Sequence, residues 1–191
     1  MRVGAIAERT ECEGPGRRFA LWVQGCRIRC AGCCNPHFFA PRGGREVEVA
    51  DLAARLRELS AELDGVTFLG GEPFEQADGL ARLARETRSL GLSVWTFTGH
   101  VLEALRARGD AATDALLDAT DVLVDGPYDA SRPDGTRRWG GSTNQRFHFL
   151  RGRDAPGCER PEPGEVQRRI EIELTPEGVV RLRGWPELVR L

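Results

Sequence analysis

The feature that most constrains the fold is a regular alternation between short apolar runs and longer amphipathic stretches. Five apolar runs are typical of buried strands, at residues 19–23, 66–69, 92–97, 121–124 and 147–150. From the second run onward their centres lie about 27 residues apart, the length of one strand–helix unit. We therefore predict an α/β fold in which a parallel sheet carries helices on its outside.

The stretches between the runs carry apolar residues at helical spacing. The clearest places six of them on one face: Val49, Leu52, Ala53, Leu56, Leu59 and Leu63. Four or five strand–helix units are too few to close an eight-stranded barrel. The predicted architecture is therefore an open, partial (β/α) barrel, with ligands at the carboxyl ends of its strands.

The sequence divides into a core and a C-terminal extension. Residues 1–150 form the predicted core domain, and residues 151–169, rich in Arg, Gly, Pro and Glu, are predicted to be a flexible surface loop. Residues 170–191 are predicted to be a hairpin extension, because apolar residues alternate on both sides of Thr175-Pro176-Glu177-Gly178. That alternation predicts one buried face.

Composition narrows the classes of function. The chain has 191 residues, 27 basic and 29 acidic, and its formal net charge of -2 argues against a general nucleic-acid binder. All the basic residues are arginine, which excludes a Schiff-base lysine and a lysine-bearing phosphate loop. No signal peptide or membrane-spanning run is apparent, so we expect a cytoplasmic protein with no membrane partner.

Three cysteines with C-x3-C-x2-C spacing follow the first apolar run directly. Thiolates of Cys26, Cys30 and Cys33 could hold a four-iron cluster, and three ligands would leave one iron with an open coordination position. Two alternatives stay open on ligand chemistry. His37 could complete a structural zinc site, or Cys34 could replace Cys33 at the cost of the spacing.

A glycine turn follows the second apolar run, one strand–helix unit after the cysteines. Gly70-Gly71-Glu72-Pro73 would let a ligand approach the backbone closely and would leave N–H and C=O groups free to bind it. Alone, such a turn is typical of any tight strand–helix connection. Together with the cysteine loop, it is a strong joint signal that favours a cluster over a zinc site.

These motifs resemble the radical S-adenosylmethionine (SAM) superfamily, and within it the activating enzymes of glycyl radical enzymes. Gly14-Pro15-Gly16-Arg17-Arg18, the cysteine loop, and the segments 94–100, 121–126 and 141–145 resemble that family in the same order. The subgroup they resemble most activates anaerobic ribonucleotide reductase. Cys34 and His100 depart from the family pattern, and residues after 150 are not covered by the resemblance.

The resemblance implies one [4Fe-4S] cluster on Cys26, Cys30 and Cys33, with SAM on the fourth iron. It also implies that the SAM site is formed by Gly32, Cys34, Gly70, Gly71, Glu72, Pro73, Thr98 and Gly99. The reaction implied is reductive cleavage of SAM to a 5′-deoxyadenosyl radical, which then generates a glycyl radical on a partner enzyme. The electron donor implied is a flavodoxin or ferredoxin.

The glycine-rich loop before the last core strand is predicted to be surface exposed. Ser142, Asn144 and Gln145 in this loop are either partner-binding residues or part of a solvated turn. Two other functions remain as alternatives. One is a radical SAM enzyme that modifies a peptide or small molecule, and the other is a non-catalytic iron–sulfur or zinc protein.

Overall fold

A computed structural model describes residues 1–151, 158, 169–174 and 178–184 of the chain. The strands are β1 (Arg2–Thr10), β2 (Arg18–Val23), β3 (Arg45–Glu46), β4 (Gly65–Gly70), β5 (Ser93–Phe97), β6 (Val122–Asp125), β7 (Arg146–Phe149), β8 (Ile170–Leu174) and β9 (Val180–Gly184). The α-helices are α1 (Val49–Leu59), α2 (Ala77–Ser89), α3 (Leu102–Ala107) and α4 (Ala111–Ala119).

The main sheet has a parallel centre and antiparallel edges. Its order is β3-β1-β2-β4-β5-β6-β7, and β2, β4, β5 and β6 pair in parallel. The predicted parallel α/β sheet is confirmed for this centre. The last strand, β7, runs antiparallel to β6, because residues 126–145 contain no helix to carry the chain back across the sheet.

The strand β1 was not predicted from the sequence, because its apolar period is weak. β1 has small residues at positions where other groups pack closely against it. At Gly4, for example, a Cβ atom would lie 2.4 Å from the ring of Phe38. β1 pairs antiparallel with β2 and covers what would otherwise be the free edge of the parallel centre.

The two faces of the sheet have different roles. In β2, Phe19, Leu21 and Val23 face the helices and join the main core, whereas Ala20 and Trp22 face the opposite side. Leucines of the four helices, including Leu56 and Leu80, are fully buried in that core. Each contributes about 2 kcal/mol of hydrophobic free energy. The helices therefore cover one face and leave the other to line a cavity.

A buried arginine ties together the amino ends of the central strands. Arg18 is 0% exposed, and its guanidinium donates to Thr67 Oγ1 at 3.1 Å, Ser93 Oγ at 2.7 Å and the Val66 carbonyl at 2.6 Å. These partners lie in β4 and β5. The Gly-Pro-Gly-Arg-Arg segment therefore fixes the relative positions of three strands, at the end opposite the cysteine loop.

The C-terminal hairpin is confirmed, but its predicted buried face is not. β8 and β9 pair antiparallel, with Ile172 opposite Leu182, yet Ile172 is 64% exposed and Leu174 is 73% exposed. The polar face is the anchored one instead, because the Glu171 carboxylate accepts a hydrogen bond from the Glu11 N–H at 2.7 Å. The turn at residues 175–177 lies outside the described residues.

The predicted flexible loop, residues 151–169, lies mostly outside the described residues. Of the part that is described, Cys158 is 0% exposed and packs against Trp95, Val122 and Val124. None of the helices in the described part of the chain has the length and apolar character to span a bilayer.

Candidate metal centre

The cysteine loop begins at the carboxyl end of β2 and is closed by hydrogen bonds across its base. The Gly25 N–H donates to the Phe38 carbonyl at 2.8 Å, and the Cys26 N–H donates to the Phe39 carbonyl at 3.2 Å. The side chain of Gln24 donates to the Ala40 carbonyl at 2.7 Å. These hydrogen bonds therefore hold both ends of the cysteine loop in place.

Each of the three spaced cysteines accepts backbone N–H groups at its sulfur. Cys26 accepts from Ile28 and Arg29, and Cys33 accepts from Asn35 at 3.4 Å. Cys30 accepts from Tyr128, which lies almost one hundred residues further along the chain. Backbone donors aimed at sulfur stabilise thiolates and are a usual environment for iron–sulfur clusters.

Their pKa values reflect a balance between burial and these donors. Burial raises the pKa of the Cys26 and Cys30 thiols, and the N–H donors oppose that rise. At Cys33, the hydrogen bond with the neighbouring Cys34 thiol lowers the pKa to about 6, and the same bond raises the pKa of Cys34. The Asn35 N–H donor at the Cys33 sulfur favours Cys33 over Cys34 as a ligand.

The described residues contain no group of three His, Cys, Asp or Glu side chains arranged to hold a single metal ion. The ring of His37, the fourth ligand of the zinc alternative, packs against Phe38 with 4.0 Å between ring centroids. A four-iron cluster does not need its thiolates to meet at one metal ion, because each thiolate binds a different iron atom. The thiol donor set, the pinned loop and the N–H donors fit such a cluster.

The glycine turn holds the cysteine loop in place through its N–H groups. Gly71 donates to the Val23 carbonyl at 2.8 Å, and Glu72 donates to the Gly25 carbonyl at 2.7 Å. The approach is so close that a Cβ atom on Gly71 would lie 2.2 Å from the Gly25 oxygen. The prediction that N–H groups of this turn are free for a ligand is therefore wrong for these two.

Glu72 bridges this turn to the end of the next strand, which was not predicted. Its side chain, 1% exposed, accepts from the Phe74 N–H at 3.0 Å, the Thr98 hydroxyl at 2.8 Å and the Gly99 N–H at 3.0 Å. Burial raises the pKa of Glu72 to about 7, and the three donors oppose that rise. The carboxyl group fixes the carboxyl ends of β4 and β5 relative to each other.

The cysteine loop and both strand ends face one cavity of about 1060 Å³. Its walls include Cys26, Cys30, Cys33, Cys34, Gly70, Gly71, Glu72, Thr98 and Gly99. Trp22 and Phe97 line it from the sheet. Two of the predicted SAM-site residues are not in its wall: Pro73 begins the 3-10 turn after Glu72, and Gly32 faces Tyr128 and Ala130.

Sequence reasoning missed two residues of this region. Glu13 lines the cavity and accepts a hydrogen bond from the Gly184 N–H of the hairpin, and burial raises the pKa of its carboxyl group to about 7. Tyr128 lines the cavity and supplies the Cys30 donor. Nothing in the local sequence distinguishes Glu13 from the rest of the 29 acidic residues, since a contact between residues 13 and 184 depends on the tertiary fold.

The glycine-rich loop is more buried than predicted. Ser142 is 0% exposed and its hydroxyl accepts the Asp129 N–H at 3.1 Å, so its predicted surface exposure is wrong. The Asn144 amide donates to the Pro127 carbonyl at 2.7 Å, and the Gln145 amide donates to the Gly126 carbonyl at 3.3 Å. All three side chains bond to the segment that follows β6.

Comparison with known proteins places these residues in a family. Residues 12–148 match the family described as a 4Fe-4S single cluster domain. Anaerobic ribonucleoside-triphosphate reductase-activating proteins match over 142 to 145 residues. The protein from Escherichia coli strain K12 is 30% identical, over 72% of this chain and 92% of its own length. The Salmonella typhimurium protein is 33% identical over the same shares, and the Vibrio cholerae protein is 33% identical over 71% and 89%.

Proposed function

This chain belongs to the family of anaerobic ribonucleoside-triphosphate reductase-activating proteins, and from that premise we propose how its residues perform the activation. It is a radical-generating oxidoreductase with a 4Fe-4S domain, and the proposed target is the anaerobic reductase that its relatives are named for. The observation that carries the proposal is that three spaced cysteines and the glycine turn line one cavity.

Cys26, Cys30 and Cys33 are the proposed ligands of one [4Fe-4S] cluster, and its fourth iron is left for the amino and carboxylate groups of SAM. When bound, the cluster would supply the electron for reductive cleavage of SAM to methionine and a 5′-deoxyadenosyl radical, which would be able to take a hydrogen atom from a glycine of the partner. The residues of this chain hold, orient and shield these groups.

The proposed SAM site lies between the cysteine loop and the ends of β4 and β5. The carbonyl groups of the turn at Gly70 and Gly71 would accept from the SAM amino group, because the N–H groups of Gly71 and Glu72 already hold the cysteine loop. Thr98 and Gly99 would line the pocket, fixed by Glu72. Gly32 and Cys34 would flank SAM from the cysteine loop, and Pro73 would set the direction of the turn.

Three wider features complete the proposal. The sheet is proposed to have the open, partial-barrel form of the radical SAM fold, with its uncovered face as the reaction chamber. A flavodoxin or ferredoxin is the proposed electron donor. We propose that the protein is cytoplasmic, where the cysteine thiols that would bind the cluster are kept free of disulfides.

The test is SAM cleavage by anaerobically reconstituted protein. We expect about four irons per chain and release of 5′-deoxyadenosine under strong reductant. Cys33→Ala should lose both, because a ligand is gone. Cys34→Ala is the matched control for iron binding at the adjacent position and should keep the four irons.

Each contrary result has a distinct meaning. A wild-type protein that binds one zinc, or that binds iron but releases no 5′-deoxyadenosine, would contradict the proposed chemistry. Loss of iron from Cys34→Ala but not from Cys33→Ala would move the third ligand to Cys34. A modified peptide or small molecule as the product would favour the alternative radical SAM reaction.

A further inference from the structure

The segment after β6 packs tightly against the cysteine loop. A Cβ atom on Gly32 would lie 2.9 Å from the Cβ of Ala130 and 3.7 Å from the ring of Tyr128. Gly32 also has a φ of +76°, which favours glycine. The segment 126–130 (the cluster brace) therefore packs directly against the cysteine loop through the side chains of Ala130 and Tyr128.

The cluster brace also reaches one ligand by a hydrogen bond. Backbone N–H groups of Tyr128 and of Cys30 itself stabilise the Cys30 thiolate, whereas those that act on Cys26 and Cys33 all lie within the cysteine loop. Cys30 is therefore the one proposed ligand whose donor depends on tertiary packing. Any movement of the brace would move that donor.

Side chains of the glycine-rich loop form hydrogen bonds with the cluster brace. The Asn144 amide donates to the Pro127 carbonyl at 2.7 Å, and the Gln145 amide donates to the Gly126 carbonyl at 3.3 Å. The Ser142 hydroxyl accepts the Asp129 N–H at 3.1 Å. Gln145 is itself fixed, because its Oε1 accepts the N–H groups of Gly141 and Ser142 at 2.9 and 3.1 Å.

We propose that Asn144 and Gln145 are positioning residues for the iron–sulfur cluster, which act through the cluster brace and its packing against the cysteine loop at Gly32. This inference rests on the proposed cluster at Cys26, Cys30 and Cys33. An N–H dipole aimed at a ligand sulfur stabilises the reduced, more negative cluster, and so it raises the reduction potential. The same contact slows the loss of the iron that Cys30 holds.

The chain offers conservative variants for the test. Gln145→Glu keeps the oxygen that accepts from Gly141 and Ser142 but loses the donor to Gly126. Asn144→Asp loses the donor to Pro127. Thr143→Ala is the matched control, since the Thr143 side chain lies between them in the sequence but is exposed.

The readouts are the midpoint potential of the cluster, from a redox titration followed by EPR, and the rate of iron release to a chelator. We expect both conservative variants to shift the potential to more negative values. We also expect iron release to accelerate by roughly ten-fold, as for other changes next to metal ligands. Thr143→Ala should match the wild type in both.

Wild-type values in both conservative variants would overturn the inference, and so would an equal change in Thr143→Ala. If Gln145→Glu does not fold, as judged by circular dichroism of the cluster-free chain, Asn144→Asp decides alone. Failure of the proposed function is a separate result, because the wild-type protein would then bind no four-iron cluster and no potential could be measured for any variant.

Discussion

At the scale of single residues, the chemistry depends on which groups are charged and where they are held. Among the adjacent cysteines, the Asn35 N–H donor at the sulfur favours Cys33 as the ligand, in agreement with the spacing of the motif. At Glu72, by contrast, the environment favours the neutral form of the side chain. Its carboxyl group is fully buried, and burial raises its pKa to about 7 from the ordinary value of 4.5. The cost of ionising it is met only in part by its three hydrogen-bond donors.

This elevated pKa predicts a pH dependence of stability in the cluster-free protein. Between about pH 4.5 and pH 7, the folded state holds the Glu72 proton more tightly than the unfolded state, so this residue's contribution to stability falls as pH rises. Glu72→Gln removes the titration. The free energy of unfolding of wild type minus that of Glu72→Gln should therefore decrease by roughly 3 kcal/mol across this range.

Urea denaturation of both proteins at a series of pH values measures this difference. Parallel pH profiles for the two proteins would show that Glu72 titrates alike in both states, and would contradict the assigned environment. A stability difference that increases with pH would have the opposite sign to the predicted one, and it would also contradict the assigned environment.

At the scale of elements, the sequence predicts what depends on local pattern. The strands β2, β4, β5 and β6 and the helix α1 follow from apolar period and length. Gly109, with a φ of +62°, separates α3 from α4 where the helical pattern breaks. The strand β1 was missed because contact with Phe38 demands small residues, which weakens its period. The direction of β7 was missed because it depends on the absence of a crossover helix.

Arg18 gives a prediction at this scale, because it joins three strands. Arg18→Met should destabilise the protein by about 3 kcal/mol or more, since Thr67, Ser93 and the Val66 carbonyl lose a charged donor in a buried site. Arg17→Met is the matched control at the next position. Its side chain is exposed, and the change should alter stability by no more than about 0.5 kcal/mol.

Chemical denaturation of the two variants provides the comparison. Similar stability of Arg18→Met and Arg17→Met would show that the hydrogen bonds of Arg18 contribute little. The Gly-Pro-Gly-Arg-Arg segment would then need another explanation.

At the scale of the whole molecule, the site is assembled by contacts that no local pattern encodes. The motif spacing indicated the cysteines and the glycine turn. It could not indicate that Tyr128 donates to Cys30, that Glu72 joins two strand ends, or that Glu13 meets Gly184. It also predicted one buried face for the hairpin, whereas the apolar residues Ile172 and Leu174 are exposed, because an alternating pattern shows that two faces differ but not which one is anchored.

The most direct test of the central claim is EPR of the anaerobic ribonucleoside-triphosphate reductase after anaerobic incubation with this protein, SAM and a strong reductant. We predict a glycyl radical on the reductase, with a hyperfine pattern that changes when its glycine is isotopically labelled, and no radical when SAM is omitted or Cys30 is replaced by alanine. Cleavage of SAM with no radical on the reductase, or a radical formed equally well by Cys30→Ala, would contradict it.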